Sequence, residues 1–181
     1  MLNNNELKEK ALRIKLLVLD VDGVLTDGRL YYTPEEMEIK CFNTLDGHGI
    51  KMLQKGGVEV AIITGRTSQQ VIKRAGDLGI VRVITGREDK FTALQQLVAG
   101  RDLQLDEIAF MGDDWPDLSA MTQVGLALGV PNAHQEVLSR AHWISDKEGG
   151  KGAVREACDM LLKIQGNYHQ CLQSYISAGE Q

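Results

Sequence analysis

The sequence predicts an α/β fold of the doubly wound, three-layer Rossmann-like kind, with a mostly parallel sheet between two layers of helices. Short β-branched and leucine-rich runs alternate with segments of helical periodicity, which is the pattern of a parallel sheet wrapped by helices. Glycines such as Gly79, Gly100 and Gly129 fall where an element should stop. A chain of 181 residues is the size of one domain, so we expect a single domain over residues 1–181.

The strands and helices follow from this alternation along the chain. Strands are predicted at residues 14–19, 58–63, 81–84, 107–111, 125–128 and, with a weaker pattern, 142–144. Helices are predicted at residues 50–55, 68–78, 90–99, 116–121, 133–141 and 152–164. Residues 165–181 show no clear period and are predicted to form a tail.

One stretch after the first strand breaks the alternation. Residues 29–32 and 37–42 are rich in β-formers and are separated by a turn-like Thr-Pro-Glu-Glu segment, so they predict an inserted hairpin. An isolated two-stranded ribbon that carries Leu30, Tyr31 and Ile39 is marginally stable. The hairpin must therefore pack on the domain or pair with another subunit, and the exposed strand edges favour the second arrangement.

Composition limits the classes of function. The chain is 43% hydrophobic and 25% charged, and no apolar run approaches the ~20 residues that cross a bilayer. A net charge of -5, with scattered basic residues, argues against a nucleic-acid partner. The first ten residues lack the apolar core of a secretory signal, and three widely spaced cysteines predict unpaired thiols in a reducing cytoplasm.

Polar residues follow several predicted strands, where ligands collect in open α/β sheets. The first strand ends in Asp20-Val21-Asp22-Gly23, so the two carboxylates can face the same side while Val21 turns into the core. If Asp113 arrives from a neighbouring strand, three oxygens converge on a site suited to Mg²⁺.

This arrangement predicts phosphoryl transfer through a covalent intermediate. Asp20 is the expected nucleophile, and Asp22 is placed to protonate the departing alkoxide and later to activate water. Thr64 can donate its hydroxyl and backbone N–H to a phosphoryl oxygen, and Lys90 can neutralise charge on the equatorial oxygens.

The set resembles the haloacid dehalogenase superfamily of phosphatases, over roughly residues 14–155. Asp20-Val21-Asp22-Gly23 matches its first motif, Thr64 its second, Lys90 its third and Gly112-Asp113-Asp114 its fourth. The resemblance implies that Asp20 is phosphorylated, that Asp22 is the acid and base, and that Mg²⁺ binds Asp20, Asp113 and the backbone carbonyl of Asp22.

Five segments narrow the resemblance to one branch of that superfamily. The segments are DVDGVLTDG at 20–28, DGHG at 46–49, ITGR at 63–66, GDDWPDL at 112–118 and GGKGAVRE at 149–156. Members of the branch remove phosphate from a sugar-acid 8-phosphate on the route to lipopolysaccharide. They lack a large cap domain and form homotetramers in which the hairpins associate and C-terminal segments approach a neighbour's active site.

The same resemblance implies a substrate site. Thr64, Gly65 and Lys90 would hold the phosphate, and Arg66 would bind the sugar acid because a guanidinium fork suits a carboxylate. For His48, between two glycines, a substrate contact and a local turn role are about even. Lys151 and Arg155 are weaker hypotheses for residues that close the site.

Simpler explanations exist for several of these residues. Asp113 and Asp114 could cap the helix that opens at Pro116, with Asp114 or Asp117 fixing the loop. The glycines around Lys151 lack the spacing of a nucleotide-binding loop.

Two rival functions remain open. A related phosphatase would act on a sialic-acid-type 9-phosphate, for which Arg66 is the discriminating residue. A receiver-like regulatory module would stop at the phospho-aspartate, although Asp22 argues against it because an acid two residues beyond the nucleophile serves turnover.

Overall fold

A computed structural model describes residues 3–34 and 38–177 of the chain, and its centre is a parallel sheet. The strands are β1 (Leu16–Leu19), β2 (Tyr31–Tyr32), β3 (Glu38–Ile39), β4 (Glu59–Ile63), β5 (Arg82–Ile84), β6 (Ile108–Gly112), β7 (Leu126–Gly129) and β8 (Trp143–Ile144). Six of them form one sheet in the order β5-β4-β1-β6-β7-β8, and all of its neighbouring strands are parallel. The predicted mostly parallel α/β sheet is confirmed.

Helices cover this sheet. They are α1 (Asn4–Arg13), α2 (Thr44–Lys55), α3 (Gln69–Asp77), α4 (Lys90–Val98), α5 (Trp115–Met121), α6 (Gln135–Arg140), α7 (Ala153–Ile164) and α8 (Tyr168–Ile176). Helix α7 packs against α1, α2 and α8, and α5 packs between α4 and α6. The central strands β1 and β6 are buried along their whole length, because both of their faces are covered by helices.

The predicted beginning of α2, at residue 50, is wrong. The helix begins at Thr44, where the Asn43 side chain accepts a hydrogen bond from the backbone N–H of Leu45 at 2.8 Å. Gly47 and Gly49 lower the helical signal of this segment, yet Gly49 is needed for packing. A Cβ at Gly49 would lie 2.8 Å from the Arg155 side chain of α7, so this glycine lets two helices approach closely.

Two terminal helices were not predicted. Helix α1 begins with Asn3, whose side chain accepts hydrogen bonds from the backbone N–H groups of the first turn. Only Ala11 of this helix is buried, so its sequence carries little hydrophobic periodicity. Helix α8 replaces most of the predicted tail and buries Cys171 against the body of the protein. Residues 178–181 lie outside the described residues.

The inserted hairpin is present. Tyr31 pairs with Ile39 and Tyr32 with Glu38 in antiparallel register, whereas the turn at residues 35–37 lies outside the described residues. The Gln70 side chain of α3 donates a hydrogen bond to the Glu38 carbonyl at 2.7 Å, so the ribbon is attached to its own domain. Tyr31 and Ile39 are about half exposed, and pairing with another subunit stays a prediction.

Two whole-chain expectations concern the thiols and the membrane. Cys41 is exposed and Cys158 and Cys171 are buried, and all three are free thiols. Within residues 3–34 and 38–177, every helix is too short or too polar to span a bilayer.

Candidate active site at the carboxyl edge of the sheet

Three polar side chains lie together because the strands that precede them are neighbours in the sheet. Asp20 follows β1, Thr64 follows β4 and Asp113 follows β6, and β1 lies between the other two strands. The backbone N–H of Asp20 donates to the Met111 carbonyl at 3.0 Å, which ties the end of β1 to β6. The predicted convergence at the carboxyl edge is therefore present, around a cavity of about 320 Å³.

Lys90, the first residue of α4, is buried among the carboxylates. Its ammonium lies 2.5 Å from Asp20 Oδ1, 2.8 Å from Asp117 Oδ1 and 3.2 Å from the Ile63 carbonyl oxygen. These contacts use the three donors of a lysine ammonium. The positive charge of Lys90 is thus paired with the expected nucleophile and its neighbour, and its predicted action on a phosphate stays a prediction.

Asp117 fixes the loop that carries Asp113. Its Oδ2 accepts hydrogen bonds from the backbone N–H groups of Asp113 at 2.9 Å and Asp114 at 3.2 Å, across the start of α5. Gly112 makes room for it, because a Cβ there would lie 2.5 Å from the Asp117 side chain. This loop-fixing role was one of two assignments that the sequence left open between Asp114 and Asp117.

The carboxylates of this edge repel one another in a buried place. The pKa of Asp113 is raised to about 8, first by burial and then by the neighbouring carboxylates. Burial and the charge of Asp117 likewise raise the pKa of Asp20, against the opposing effect of Lys90. For Lys90, burial acts to lower the pKa, but the two carboxylates that it contacts raise it overall. The single ammonium of Lys90 does not balance the negative charges of Asp20, Asp113 and Asp117.

The residues fit a hard divalent cation. Asp20, Asp113 and Asp117 each offer an oxygen, and these oxygens lie within 4.8 Å of one another. Carboxylate oxygens are the ligands that Mg²⁺ prefers, and a cation would offset their repulsion. The carboxylate of Asp22 is not part of this group, and its predicted metal contact through the backbone carbonyl stays a prediction.

Asp22 is instead paired with the hairpin. Its Oδ1 forms an ion pair with the ammonium of Lys40, which lies just beyond β3, and its Oδ2 lies 3.9 Å from Arg66 Nε. Lys40 also lies 3.4 Å from Glu38 Oε1. Asp22 lines the same cavity as Asp20, and its role as acid and base stays a prediction.

Arg66 lines the cavity mouth and contacts the hairpin. One guanidinium nitrogen donates to Glu38 Oε1 at 3.0 Å and to the Tyr32 hydroxyl at 3.2 Å. The side chain is 44% exposed, so it remains open to solvent at the entrance. Bonds to Tyr32 and Glu38 together raise the pKa of Arg66, which stays a cation.

One detail of the Thr64 prediction is wrong. Its backbone N–H donates to the Ile84 carbonyl at 2.9 Å, since β4 continues its pairing with β5, and it is not available to a phosphate. The hydroxyl remains as the donor of this residue. Gly65 also lines the cavity, and a Cβ there would lie 3.5 Å from the Glu88 side chain, in ordinary contact.

Glycines set the position of the loop after β1. Gly23 has φ +98°, and a Cβ there would lie 2.0 Å from Asp113 Oδ2, so only glycine lets this carboxylate approach. Behind it, a Cβ at Gly149 would lie 1.7 Å from the Gly23 carbonyl oxygen. Asn132 accepts a hydrogen bond from the Gly149 backbone at 2.9 Å. The segment around Gly149 therefore supports the catalytic loop.

Three other predicted site residues lie elsewhere in this chain. The His48 ring packs edge-on against Tyr175 of α8, with centroids 4.9 Å apart. Lys151 pairs with Glu148 at 2.6 Å on the surface, and Arg155 pairs with Asp159 at 2.9 Å. The cavity lining is formed by other residues: Asp20, Asp22, Gly28, Thr64, Gly65, Arg66, Glu88, Lys90, Asp113, Asp114, Pro116 and Asp117.

Sequence reasoning missed Lys40 and the central position of Asp117. Lys40 carried one usable signal: in the run Glu38-Ile39-Lys40-Cys41 the charged residues alternate with apolar ones, which places both charges on one face of the strand. Asp117 lies one helical turn beyond Asp113, so the start of α5 turns its side chain back to the loop.

Comparisons with known proteins agree with this site. A family model described as haloacid dehalogenase-like hydrolase matches residues 79–157. A protein of Escherichia coli named 3-deoxy-D-manno-octulosonate 8-phosphate phosphatase KdsC is 43% identical over 157 residues, which is 87% of this chain and 84% of that protein.

Two solved structures are also similar. The 3-deoxy-D-manno-octulosonate 8-phosphate phosphatase of Moraxella catarrhalis, in complex with magnesium, phosphate and KDO, is 42% identical with a TM-score of 0.93, over 96% of this chain and 99% of that one. The Yersinia pestis phosphatase of the same name is 41% identical with a TM-score of 0.89, over 91% of this chain and 89% of that one.

Proposed function

The chain belongs to the haloacid dehalogenase-like hydrolases, and on that premise we propose that it is a magnesium-dependent phosphatase of 3-deoxy-D-manno-octulosonate 8-phosphate. Its products are the free sugar acid and phosphate, a step in lipopolysaccharide synthesis. The observation that carries the chemistry is the buried Asp20 carboxylate, held by Lys90 beside Asp113 and Asp117. The similar phosphatases supply the substrate.

Asp20 is the nucleophile of this proposal. Its oxygen attacks phosphorus, the bond from phosphorus to the sugar oxygen breaks, and the leaving oxygen takes a proton from Asp22. Water then attacks the aspartyl-phosphate, Asp22 takes a proton from that water, and the bond to Asp20 breaks to release phosphate. Lys90 keeps the nucleophile aimed by its 2.5 Å contact, and the Thr64 hydroxyl and Gly65 lie where a phosphoryl oxygen would enter.

Asp20 and Asp113 would hold Mg²⁺, with Asp117 beside them and the backbone carbonyl of Asp22 completing the predicted ligand set. When bound, the cation offsets the repulsion between an anionic phosphate and the carboxylates. Burial, and then the neighbouring carboxylates, raise the pKa values of Asp20 and Asp113, and a cation bound between them would offset that repulsion.

Arg66 is the proposed reader of the sugar acid. It lies at the cavity mouth with 44% of its side chain exposed, and its fork can pair with a carboxylate. Glu38 now occupies that fork, at 3.0 Å, so a substrate carboxylate would compete with it. The prediction for His48 stays open, because its ring lies on Tyr175 of α8.

We infer a homotetrameric, cytoplasmic enzyme from two further features. Leu30, Tyr31, Tyr32 and Ile39 of the hairpin are each at least 43% exposed, which is costly for an apolar ribbon and suits burial by another subunit. Free thiols are typical of a reducing compartment. How Lys151 and Arg155 contribute to a neighbouring site in such an assembly stays a prediction.

The test is phosphate release with Mg²⁺ from a panel of sugar phosphates. The panel includes the 8-phosphate, a sialic-acid-type 9-phosphate and p-nitrophenyl phosphate. We expect the 8-phosphate to be preferred, and Asp20→Asn to lower kcat by at least about 10⁴-fold, the scale seen when a catalytic nucleophile is removed. A chelator should abolish turnover, and added Mg²⁺ should restore it.

Asp77→Asn is the matched control, because Asp77 is an exposed residue of α3 that pairs only across the helix surface with Lys73. Retained turnover in Asp20→Asn would contradict the proposed nucleophile. A stable phospho-aspartate without phosphate release would favour the regulatory module instead, and preference for the 9-phosphate would favour the related phosphatase.

A further inference from the structure

Lys40 is half-buried as a residue, its side chain is turned into the protein, and it belongs to none of the catalytic motifs. Only 2% of its side chain is exposed, although its backbone lies in the inserted hairpin. It pairs with Asp22 Oδ1 on one side and lies 3.4 Å from Glu38 Oε1 on the other. A lysine is rarely buried to this extent unless its charge is paired, so the contact with Asp22 is a built feature and not a chance meeting of surface groups.

The hairpin delivers this charge from a fixed position. Glu38 and Lys40 are two residues apart in extended chain, so both side chains lie on the face that looks toward the site. That face is held to the domain by the Gln70 hydrogen bond to the Glu38 carbonyl and by Arg66 on Glu38 Oε1. Lys40 therefore reaches Asp22 from a docked strand.

The two catalytic carboxylates are held in parallel ways. Asp20 is fixed by Lys90 from α4, and Asp22 is fixed by Lys40 from the hairpin. General acid–base catalysis requires a carboxyl group within hydrogen-bond reach of the leaving oxygen, so the orientation of Asp22 matters as much as its presence. With Oδ1 occupied by Lys40, Oδ2 is the oxygen left to exchange a proton in the cavity.

We propose that Lys40 is a positioning residue for the phosphatase reaction, one that orients Asp22 and so makes acid–base catalysis depend on the docked hairpin. The proposal rests on the proposed function and adds a residue to it. Lys40 exchanges no proton in this role: Asp22 Oδ2 gives its proton to the leaving oxygen and later takes one from water, while Lys40 keeps its contact with Oδ1 throughout.

The test uses two phosphate esters that differ in their need for an acid. A sugar oxygen leaves as a strongly basic alkoxide and needs a proton, whereas p-nitrophenolate is weakly basic and leaves without one. Single-turnover kinetics follow the formation of the aspartyl-phosphate alone. In this assay we expect Lys40→Met to lower the rate with the sugar phosphate by about 10²-fold, which is the lower end of what general acid catalysis contributes. The p-nitrophenyl ester should slow by less than about 3-fold on the same reasoning.

Lys40→Arg should recover the sugar-phosphate rate to within about 10-fold of the wild type, because it retains a cation of similar reach. Lys73→Met is the matched control, since Lys73 is an exposed lysine of α3 that pairs with Asp77. In steady state, KM for the sugar phosphate should stay nearly constant while kcat falls. Circular dichroism of each variant reports whether the fold is retained.

Three results would overturn the assignment. Equal slowing of both esters would mean that Lys40 only stabilises the fold, and a raised KM with unchanged kcat would make it a substrate contact. Unchanged rates for both esters would mean that Asp22 needs no such support. A wild-type protein that is inactive on every ester is a different outcome. It would refute the proposed phosphatase function, and with it the positioning role of Lys40.

Discussion

Two clusters of polar residues adjoin the cavity, and they are built differently. The sheet-edge cluster consists of Asp20, Lys90, Asp113 and Asp117, which are set on strand ends and helix starts in the body of the domain. The hairpin cluster consists of Tyr32, Glu38, Lys40 and Arg66, three of which come from a ribbon with two residues in each strand.

The difference separates two tasks of the proposed enzyme. In the sheet-edge cluster Asp20, Lys90 and Asp117 are each at most 6% exposed, so their geometry is as rigid as the core behind them. In the hairpin cluster the side chain of Lys40 is 2% exposed and that of Arg66 is 44% exposed, and Tyr32 is 58% exposed. The rigid cluster thus holds the nucleophile, whereas the hairpin cluster provides Arg66 for contact with the variable part of a substrate and Lys40 for the orientation of Asp22.

The sheet-edge cluster should be sensitive to backbone changes far along the chain. Among substitutions outside the catalytic residues, Gly149→Ala should lower kcat the most. Its new Cβ would lie 1.7 Å from the Gly23 carbonyl oxygen and would push Gly23 against Asp113. We expect kcat to fall by about 10²-fold, since a displacement near 1 Å in a catalytic group has that scale. Phosphate release measures it.

Gly76→Ala is the control for that substitution. Gly76 lies in α3, and nothing lies within 4 Å of its would-be Cβ, so alanine should be neutral or stabilising there. Full activity in Gly149→Ala would show that the catalytic loop does not depend on the segment behind it.

Within the hairpin cluster, Arg66 should affect selectivity more than chemistry. Arg66→Ala removes a charge-assisted contact of about 2 kcal/mol, so kcat/KM for the sugar-acid phosphate should fall about 30-fold. For p-nitrophenyl phosphate, which has no sugar carboxylate, kcat/KM should stay within about 2-fold on the same argument. Side-by-side kinetics measure the ratio.

Arg140→Ala, on the exposed face of α6, is the matched control for loss of an arginine. If Arg66→Ala keeps full specificity, Arg66 does not read the substrate, and the division between the two clusters fails. Equal loss on both esters would instead give Arg66 a part in the chemistry.

The smallest expected effect concerns Asp46, a buried carboxylate in neither cluster. Its Oδ1 accepts a hydrogen bond from the Arg155 backbone at the start of α7, and its surroundings include Arg74 and Cys158. Burial raises the pKa of Asp46 from 3.8 to about 6. The folded state therefore holds this proton more tightly, and stability from Asp46 is present below pH 4 and lost as the pH rises through about 6.

Asp46→Asn should remove that pH dependence. Between pH 5 and pH 7 the wild type should lose about 1 kcal/mol of unfolding free energy that the variant does not lose. Urea unfolding at the two pH values measures the difference, with Asp77→Asn as the exposed control. If the unfolding free energy of the wild type and of Asp46→Asn changes equally between the two pH values, burial does not raise the pKa of Asp46. Asp46 would then differ from the carboxylates of the sheet-edge cluster.

The sheet and three members of the sheet-edge cluster, Asp20, Lys90 and Asp113, were predictable because short-range patterns encode them, whereas the central position of Asp117 was missed. Apolar runs define the strands, parallel strands bring their carboxyl ends together, and Asp20, Thr64, Lys90 and Asp113 follow directly. What failed has a common cause. Lys40 reaches Asp22 only through hairpin docking, and the predicted start of α2 at residue 50 missed Gly49 because its packing against Arg155 is a long-range contact.

The close packing of Gly149 behind Gly23 has a consequence for biosynthesis. The nucleophile is made early on the ribosome, whereas the segment that backs its loop is made much later. A nascent or truncated chain that stops before Gly149 would carry Asp20, Asp22, Thr64, Lys90 and Asp113 and still lack the support for their geometry. Hydrolysis of a cellular phosphate ester would therefore begin only once translation has passed Gly149.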